Sequence, residues 1–421
     1  MKQIITSFIA IFLSLPLISQ NQEPAAETWT LEEVLREAER NNWELRKSES
    51  RIDQEKAEYR STHSTFLPRV SVSQSVTHTN DPLAAFGMKL QQEIVTQEDF
   101  NPALLNDPDE ITNFHTQVLV EQPLLNTDAL AGRKAASHKL EAVKHQDRRS
   151  RHYVRYLVKQ SYYAIQLALE QEKVIRDALE AAKENLRIAK DNLEADYITK
   201  ADVMAVRVRV LDLESQLTNT SNKVTNAGER LAYLLGRNDE GPIMPSEELT
   251  RVAYTNPSDD NFELRQRSDL LAMENASKAR HSMVKMQKLK MVPRVNAFGA
   301  FNMHDADFAG NDAQNLVIGA KLEWDLFSGN KNLAGIKKAS AQASLAKIKY
   351  NEHVNKSRME LAKARREVSV AEETLEARSM AVKEAEESLR IRRDQYKQGL
   401  EKTSELLTAE ATFSAKKLLQ L

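Results

Sequence analysis

The sequence contains no cysteine, which removes disulfides, thiolate metal sites and a lipid-modified N-terminal cysteine from consideration. Proline and glycine are scarce, eleven of each in 421 residues, and no proline falls between Pro123 and Pro242 or after Pro293. Two such intervals leave room for helices far longer than a globular domain uses. Net charge is also missing: 59 basic side chains stand against 61 acidic ones, so no general pull toward nucleic acid or anionic lipid is expected. The only long apolar run, about fifteen residues from Ile4 to Ile18, is too short for a comfortable helical membrane span. With Lys2 ahead of it, that run reads as a secretory signal over residues 1–20, cleaved near Ser19. HExxH, GxSxG, Walker and dinucleotide-binding patterns are absent, so neither enzymatic activity nor a cofactor is expected.

What the sequence does hold is heptad periodicity. From Asp128 to Ala195, Val154, Ser161, Ala168, Ile175, Ala182 and Ala189 form one row, and Val158, Ile165, Glu172, Leu179, Leu186 and Leu193 the row beside it. Steps of four and three make a seam that must pack on another helix. At 1.5 Å per residue, some 65 residues span about 100 Å. After a reversal between Glu194 and Lys200, the spacing resumes through Val203, Val206, Val210, Leu213, Leu217, Val224, Ala227, Leu231 and Leu234, and stops at Leu235-Gly236. A helical hairpin over 128–235 follows. About 203 residues further on, Leu361, Val368, Leu375, Val382, Leu389 and Tyr396 repeat the second row, and Ala364, Ala371 and Ala385 the first. The chain is therefore read as two similar halves, 21–240 and 261–421, joined by a 241–260 linker.

Each half opens alike. Thr30 with Glu33 is a capping box, and the helix it starts halts before Pro68. The period then switches to two: Val70, Val72 and Val76 alternate with serines in a strand over about 69–79. Residues 80–112, with four Pro or Gly, read as a long loop. A second strand over about 113–122 turns Phe114, Val118 and Val120 one way and His115, Gln117 and Glu121 the other. In the second half a helix from about Phe262 halts before Pro293. Strands follow over about 293–303 and 315–326, the last placing Trp324 where a membrane interface would take it. A second hairpin covers about 331–421, turning at Gly399, with a return helix of only about 20 residues. Each strand has the length that a tilted strand needs to cross a bilayer.

His138, His145 and His152 share a helix face but lie roughly 10 Å apart along it, too far for one metal ion. His304, Asp305 and Asp307 read as ordinary residues of a short polar loop, and Arg148-Arg149-Ser150-Arg151 lacks the aromatic surfaces of a nucleic-acid site. No metal is expected.

Four strands cannot close a barrel, and open edges are not tolerated in lipid. The sheet must be completed by other copies, and three would give twelve strands. The expected fold is mainly α with a small β part: duplicated long hairpins in a coiled-coil barrel, plus four membrane strands per chain. Thr30-Leu31-Glu32-Glu33-Val34-Leu35 with Asn41-Asn42, Leu67-Pro68 entering a strand, and the junctions Glu121-Gln122-Pro123-Leu124-Leu125 and Glu323-Trp324-Asp325-Leu326-Phe327-Ser328-Gly329 resemble the TolC-type outer-membrane efflux proteins. Tyr396-Lys397-Gln398-Gly399-Leu400, followed by Glu405-Leu406-Leu407, resembles that family's rod-tip motif.

The resemblance implies a homotrimeric conduit through the outer membrane and periplasm for efflux or type I secretion. It implies a periplasmic adaptor docked at the tips and an inner-membrane pump of RND, ABC or MFS type. It marks Asp196, Asp202, Tyr396, Gly399 and Glu405 as tip, gate and docking positions, with a Tyr396 hydroxyl to Asp202 link as the closed-state latch. Asp196 stands where the family often has Gly, Glu401 where a basic gate partner is expected, and Thr408 where a second acidic residue is. A periplasmic adaptor or a coiled-coil scaffold without a barrel are the alternatives; neither needs four strands of alternating polarity at matching places in a repeat.

Overall fold

The structure is a computed structural model that describes residues 27–237, 241–251 and 264–421. The expected signal segment, 1–20, and residues 252–260 of the expected linker lie outside the described residues. The rest falls into two compact units, one of residues 27–43, 154–251 and 373–421, the other of 44–153 and 264–372.

The second unit is built on an antiparallel sheet of β2 (Arg69–Thr79), β3 (Ile111–Leu125), β5 (Arg294–Asp305) and β6 (Ala313–Glu323), in that order. Period-two patterning and register together divide its faces. Val72, Val118, Phe301 and Leu316 stand in one row, Val70, Val120, Gly299 and Ile318 in a second row facing the same way. The row between positions 72 and 74, Ser73, Gln117, Asn302 and Asn315, faces the other way. It is cross-linked by amides: Gln117 Nε2 donates to Asn302 Oδ1 at 2.9 Å, and Asn302 Nδ2 to Asn315 Oδ1 at 2.8 Å. The apolar face is open, with Val72 70% and Ile318 76% exposed. Among the described residues β2 and β6 each have one strand neighbour.

Two expectations for this unit need correction. β3 does not stop at Gln122 but runs on to Leu125, because its pairing with β5 shifts register between Pro123 and Leu125; a bulge is where a strand accommodates a residue with no N–H to give. Nor is 80–112 a plain loop. It contains α3 (Pro82–Gln91) and α4 (Pro102–Asn106), each begun by an Asx N-cap, Asp81 or Asn101, with the proline in the first turn. Proline there loses a hydrogen bond the helix does not make, so it starts helices as readily as it breaks them.

Beside the sheet lie α2 (Trp43–Ser61), α7 (Ser268–Leu289) and the early turns of α5 (Thr127–Glu194) and α8 (Lys331–Lys397). Arg294 Nη2 donates to Asp128 at the start of α5, 2.5 Å away, where the helix dipole also favours the carboxylate. Asp269 on α7 accepts from Arg267 at 2.6 Å and sits 3.0 Å from His353 Nε2 on α8. Burial alone would raise its pKa; these partners hold it well below the usual range instead.

The first unit holds β1 (Glu27–Trp29), α1 (Leu31–Asn41), the later turns of α5 and α8, α6 (Lys200–Leu234), β4 (Ile243–Pro245) and α9 (Thr403–Gln420). The Thr30–Glu33 capping box is formed. The helix it opens does not run unbroken toward Pro68, however. Asn42 is extended, and its Nδ2 donates 2.7 Å to the carbonyl of Leu234, one of the orphan acceptors at the end of α6. Gly236 follows that end with φ +74, and a Cβ there would lie 2.2 Å from Asn41 O, so glycine is required twice over. Residues 243–245, expected to be linker, pair in parallel with 27–29. The predicted seam is real: Ile175, Leu179 and Ala182 of α5 pack on Val210 and Leu213 of α6.

Candidate functional site

The predicted tip residues lie in the first unit, where each long helix reverses into its return helix. Both reversals are Schellman turns built on the same plan. Tyr197 N–H donates to Asn192 O and Asp196 N–H to Leu193 O, at 2.9 and 3.1 Å; Leu400 N–H donates to Gln395 O and Gly399 N–H to Tyr396 O, at 2.9 and 3.0 Å. The left-handed position is Gly399 (φ +74) in one and Asp196 (φ +58) in the other. Asp196 therefore adopts the backbone that glycine would, and the first tip turns as the second does. The next residue in each, Tyr197 or Leu400, is 81% or 75% exposed. That side chain usually packs back on the helix; here it stands clear.

Beyond the turns the tips diverge. Thr199 caps α6 in a capping box: its hydroxyl accepts from Asp202 N–H at 3.3 Å, and Asp202 Oδ2 accepts from Thr199 N–H at 2.9 Å and from its hydroxyl at 2.6 Å. These bonds hold the Asp202 carboxyl below its usual pKa. At the matching place α9 has Lys402, which provides no side-chain cap. Glu405, the counterpart of Asp202, is engaged otherwise: Arg392 on α8 donates to Glu405 at 2.8 Å and to Glu401 at 3.2 Å. Glu401, where a basic residue is expected from the resemblance, is here an acceptor for Arg392.

Tyr396 is 4% exposed, its ring packed among Leu389, Leu406 and Ala409, with Ile188 and Phe413 against them. Its hydroxyl is buried and has no hydrogen-bond partner among the described residues. The expected bond from Tyr396 to Asp202 is not formed within the chain. Both residues line one cavity of about 810 Å³, but Asp202 is committed to the Thr199 cap, which satisfies two backbone donors locally. The cavity also takes in Gly399 and Asn192. Trp324, in the other unit, follows β6, is 55% exposed and donates its indole N–H to Met291 O at 2.9 Å.

Below the tip lies a polar network that sequence reading missed. Glu410 of α9, 7% exposed, accepts from Asn185 Nδ2 of α5 at 2.5 Å and from Arg393 Nη2 of α8 at 3.2 Å. A carboxylate on the apolar side of a short amphipathic helix was the available signal. Asp305, at the short polar loop, accepts from the backbone N–H groups of Asp307 and Asp312. Among the described residues no three His, Asp or Glu groups are placed to hold a metal ion.

This geometry holds a turn and an exposed apolar side chain in fixed relation at the end of each hairpin. A profile of the family described as outer membrane efflux protein matches residues 34–237 and 262–421. Outer membrane protein OprJ of Pseudomonas aeruginosa is 21% identical over 268 residues, 60% of this chain; the match spans only 54% of that protein's length. The CmeC outer membrane channel of Campylobacter jejuni superposes with a TM-score of 0.80 at 15% identity, covering 99% of this chain and 89% of its own. The outer membrane protein VceC of Vibrio cholerae gives 0.76 at 16% identity, covering 92% and 90%. These two likenesses establish the fold.

Proposed function

The chain belongs to the outer membrane efflux protein family, and on that premise we propose that it is the channel subunit of a tripartite efflux or type I secretion assembly. It sits in the cell outer membrane and extends into the periplasm. It acts as a passive conduit, with no covalent step and no cofactor.

The observation that carries this reading is the sheet. One face is apolar and uncovered, the other is a ladder of amides, and both edges are open. Such a sheet is stable in lipid only when its edges are paired. Three copies joined edge to edge make a twelve-stranded barrel with the apolar face toward lipid and the amide face toward water. Trp324 then lies at the periplasmic interface, beside the exposed Leu326 and Phe327. The duplicated halves, 21–240 and 261–421, each supply two strands and one hairpin to this wall.

The tips are the docking end. Tyr197 and Leu400, presented by matching turns, suit insertion into an apolar groove on a periplasmic adaptor, which links the channel to an inner-membrane pump of RND, ABC or MFS type. Asp196 and Gly399 set those turns. Asp202, Tyr396 and Glu401 line the cavity at the tips, and Glu405 is tied to Glu401 through Arg392 within the second hairpin. The Asn185–Glu410 bond between α5 and α9 is a contact that must yield if the hairpins part.

Native mass spectrometry of the detergent-purified protein, with planar-bilayer recording, tests the reading. Trimers that form discrete conducting channels are expected. A detergent-independent, water-soluble monomer with no conductance refutes it and returns the scaffold alternative.

A further inference from the structure

The excursion between β2 and β3 is not spent on turning the chain. Thr79 pairs directly with Ile111, so a few residues would have closed the hairpin. Instead residues 80–110 fold on themselves. Phe86 and Phe100 meet edge to face at 5.6 Å, Lys89 Nζ donates to Asp99 at 2.7 Å, and Thr96 donates its N–H and hydroxyl to the same carboxylate.

A single buried side chain then ties this body to the sheet. Gln92, 4% exposed, donates its amide to Thr112 O at 2.8 Å, Asn113 Oδ1 at 3.0 Å and Asp305 O at 3.3 Å. Asn113 belongs to the polar face, in line with His115 and Gln117, and its own amide meets His304 Nδ1 at 3.2 Å. The excursion is therefore clasped to the polar side of the sheet, at the end away from the strand-to-helix junctions.

Yet its surface is apolar. Leu83 is 84% exposed, and Leu90, Ile94, Phe100 and Leu104 are also open to solvent. Nothing among the described residues covers them, and a patch of this kind on a water-filled side calls for a partner. In a barrel made of copies, the polar side of every sheet faces one shared lumen. We propose that the β2–β3 excursions of neighbouring copies meet there, apolar surface to apolar surface, and form a collar that narrows the outer mouth of the pore. The collar rests on the channel reading above; a constriction of this kind limits ion flow by excluding water.

Deleting residues 82–106 leaves 80, 81 and 107–110 to join the paired Thr79 and Ile111. In planar bilayers that variant should show a rise in single-channel conductance on the order of twofold or more. The absence of native cysteine allows a second test in the full chain. Leu83→Cys and Phe100→Cys should give disulfide-linked dimers under mild oxidation, with conductance falling and recovering on reduction; Leu326→Cys, at the opposite end, should not. Assembled channels whose conductance is unchanged by the deletion overturn the collar while leaving the channel reading intact. If the deletion variant does not assemble, the cysteine variants decide: no cross-link at either position overturns it. A parent chain without conductance refutes both.

Discussion

Replacing Glu410 by alanine should release α9 from the rest of the tip. The carboxylate is 7% exposed and joins three helices through Asn185 at 2.5 Å and Arg393 at 3.2 Å. Its removal strands the buried Asn185 amide, which costs about 1–3 kcal/mol. Arg393, with 37% of its side chain exposed, regains water, so the full penalty of a broken buried pair does not apply. A loss of about 2–4 kcal/mol in local stability follows. At 1.4 kcal/mol per decade, amide hydrogen exchange in residues 403–420 should quicken roughly 30- to 700-fold. Glu410→Gln keeps an acceptor for Asn185 and should stay within about tenfold. Exchange is the right readout because unfolding of a large assembly in detergent is not two-state. If α9 of Glu410→Ala exchanges at the parent rate, the network does not hold the tip and this account of it is wrong.

The two turns predict opposite responses. Gly399→Ala forces a Cβ into the left-handed region and should destabilise the second tip by about 1–2 kcal/mol, whereas Asp196→Gly should leave the first tip unchanged or firmer by up to about 1 kcal/mol. Faster exchange at residues 398–402 in the first variant, and none at 195–199 in the second, checks both. Thr199→Ala should fray the first turn of α6 at a cost of about 0.5–2 kcal/mol. The same cap depends on pH. Because its folded pKa is depressed below 3.8, Asp202 contributes stability that is complete above that value and is lost as pH falls through the folded pKa. Protection of the amides of 199–203 that persists unchanged to pH 2 would contradict this.

Much of the architecture was legible in one dimension. A period of seven between Val154 and Leu193 gave the long helix and its seam, and a period of two at Val70–Val76 gave the strand and its faces. Leu235-Gly236 marked the end of the first return helix, and Gly399 the second reversal. Prolines misled in one place and were right in another: Pro68 and Pro293 do end helices, but Pro82 and Pro102 begin them, because the same missing N–H that breaks a helix interior is harmless in its first turn. Position 196 was harder, since Asp tolerates the left-handed backbone without announcing it as Gly does.

The tip chemistry was less accessible. Tyr396, Asp202 and Glu401 line one cavity, with Glu405 tied to Glu401 through Arg392, yet the bonds they make are not those expected. Asp202 turned to its own cap three residues back, while Glu401 and Glu405 took Arg392, across the turn on the facing helix. Asn185 and Glu410 were not singled out at all, since a polar residue at a seam position looks the same whether it points to water or to a partner 225 residues away.

Spacing alone determined the parts: which stretches are helix or strand, which side of each is apolar, and that two halves share one plan. Those follow from backbone periods, and a backbone period is a property of neighbours in sequence. Folding decided the pairings. Gln92 clasped under Asp305, Glu410 between Asn185 and Arg393, and Tyr396 sealed with an unanswered hydroxyl each depend on segments far apart in the chain, and a period says which way a side chain faces without saying what it will meet.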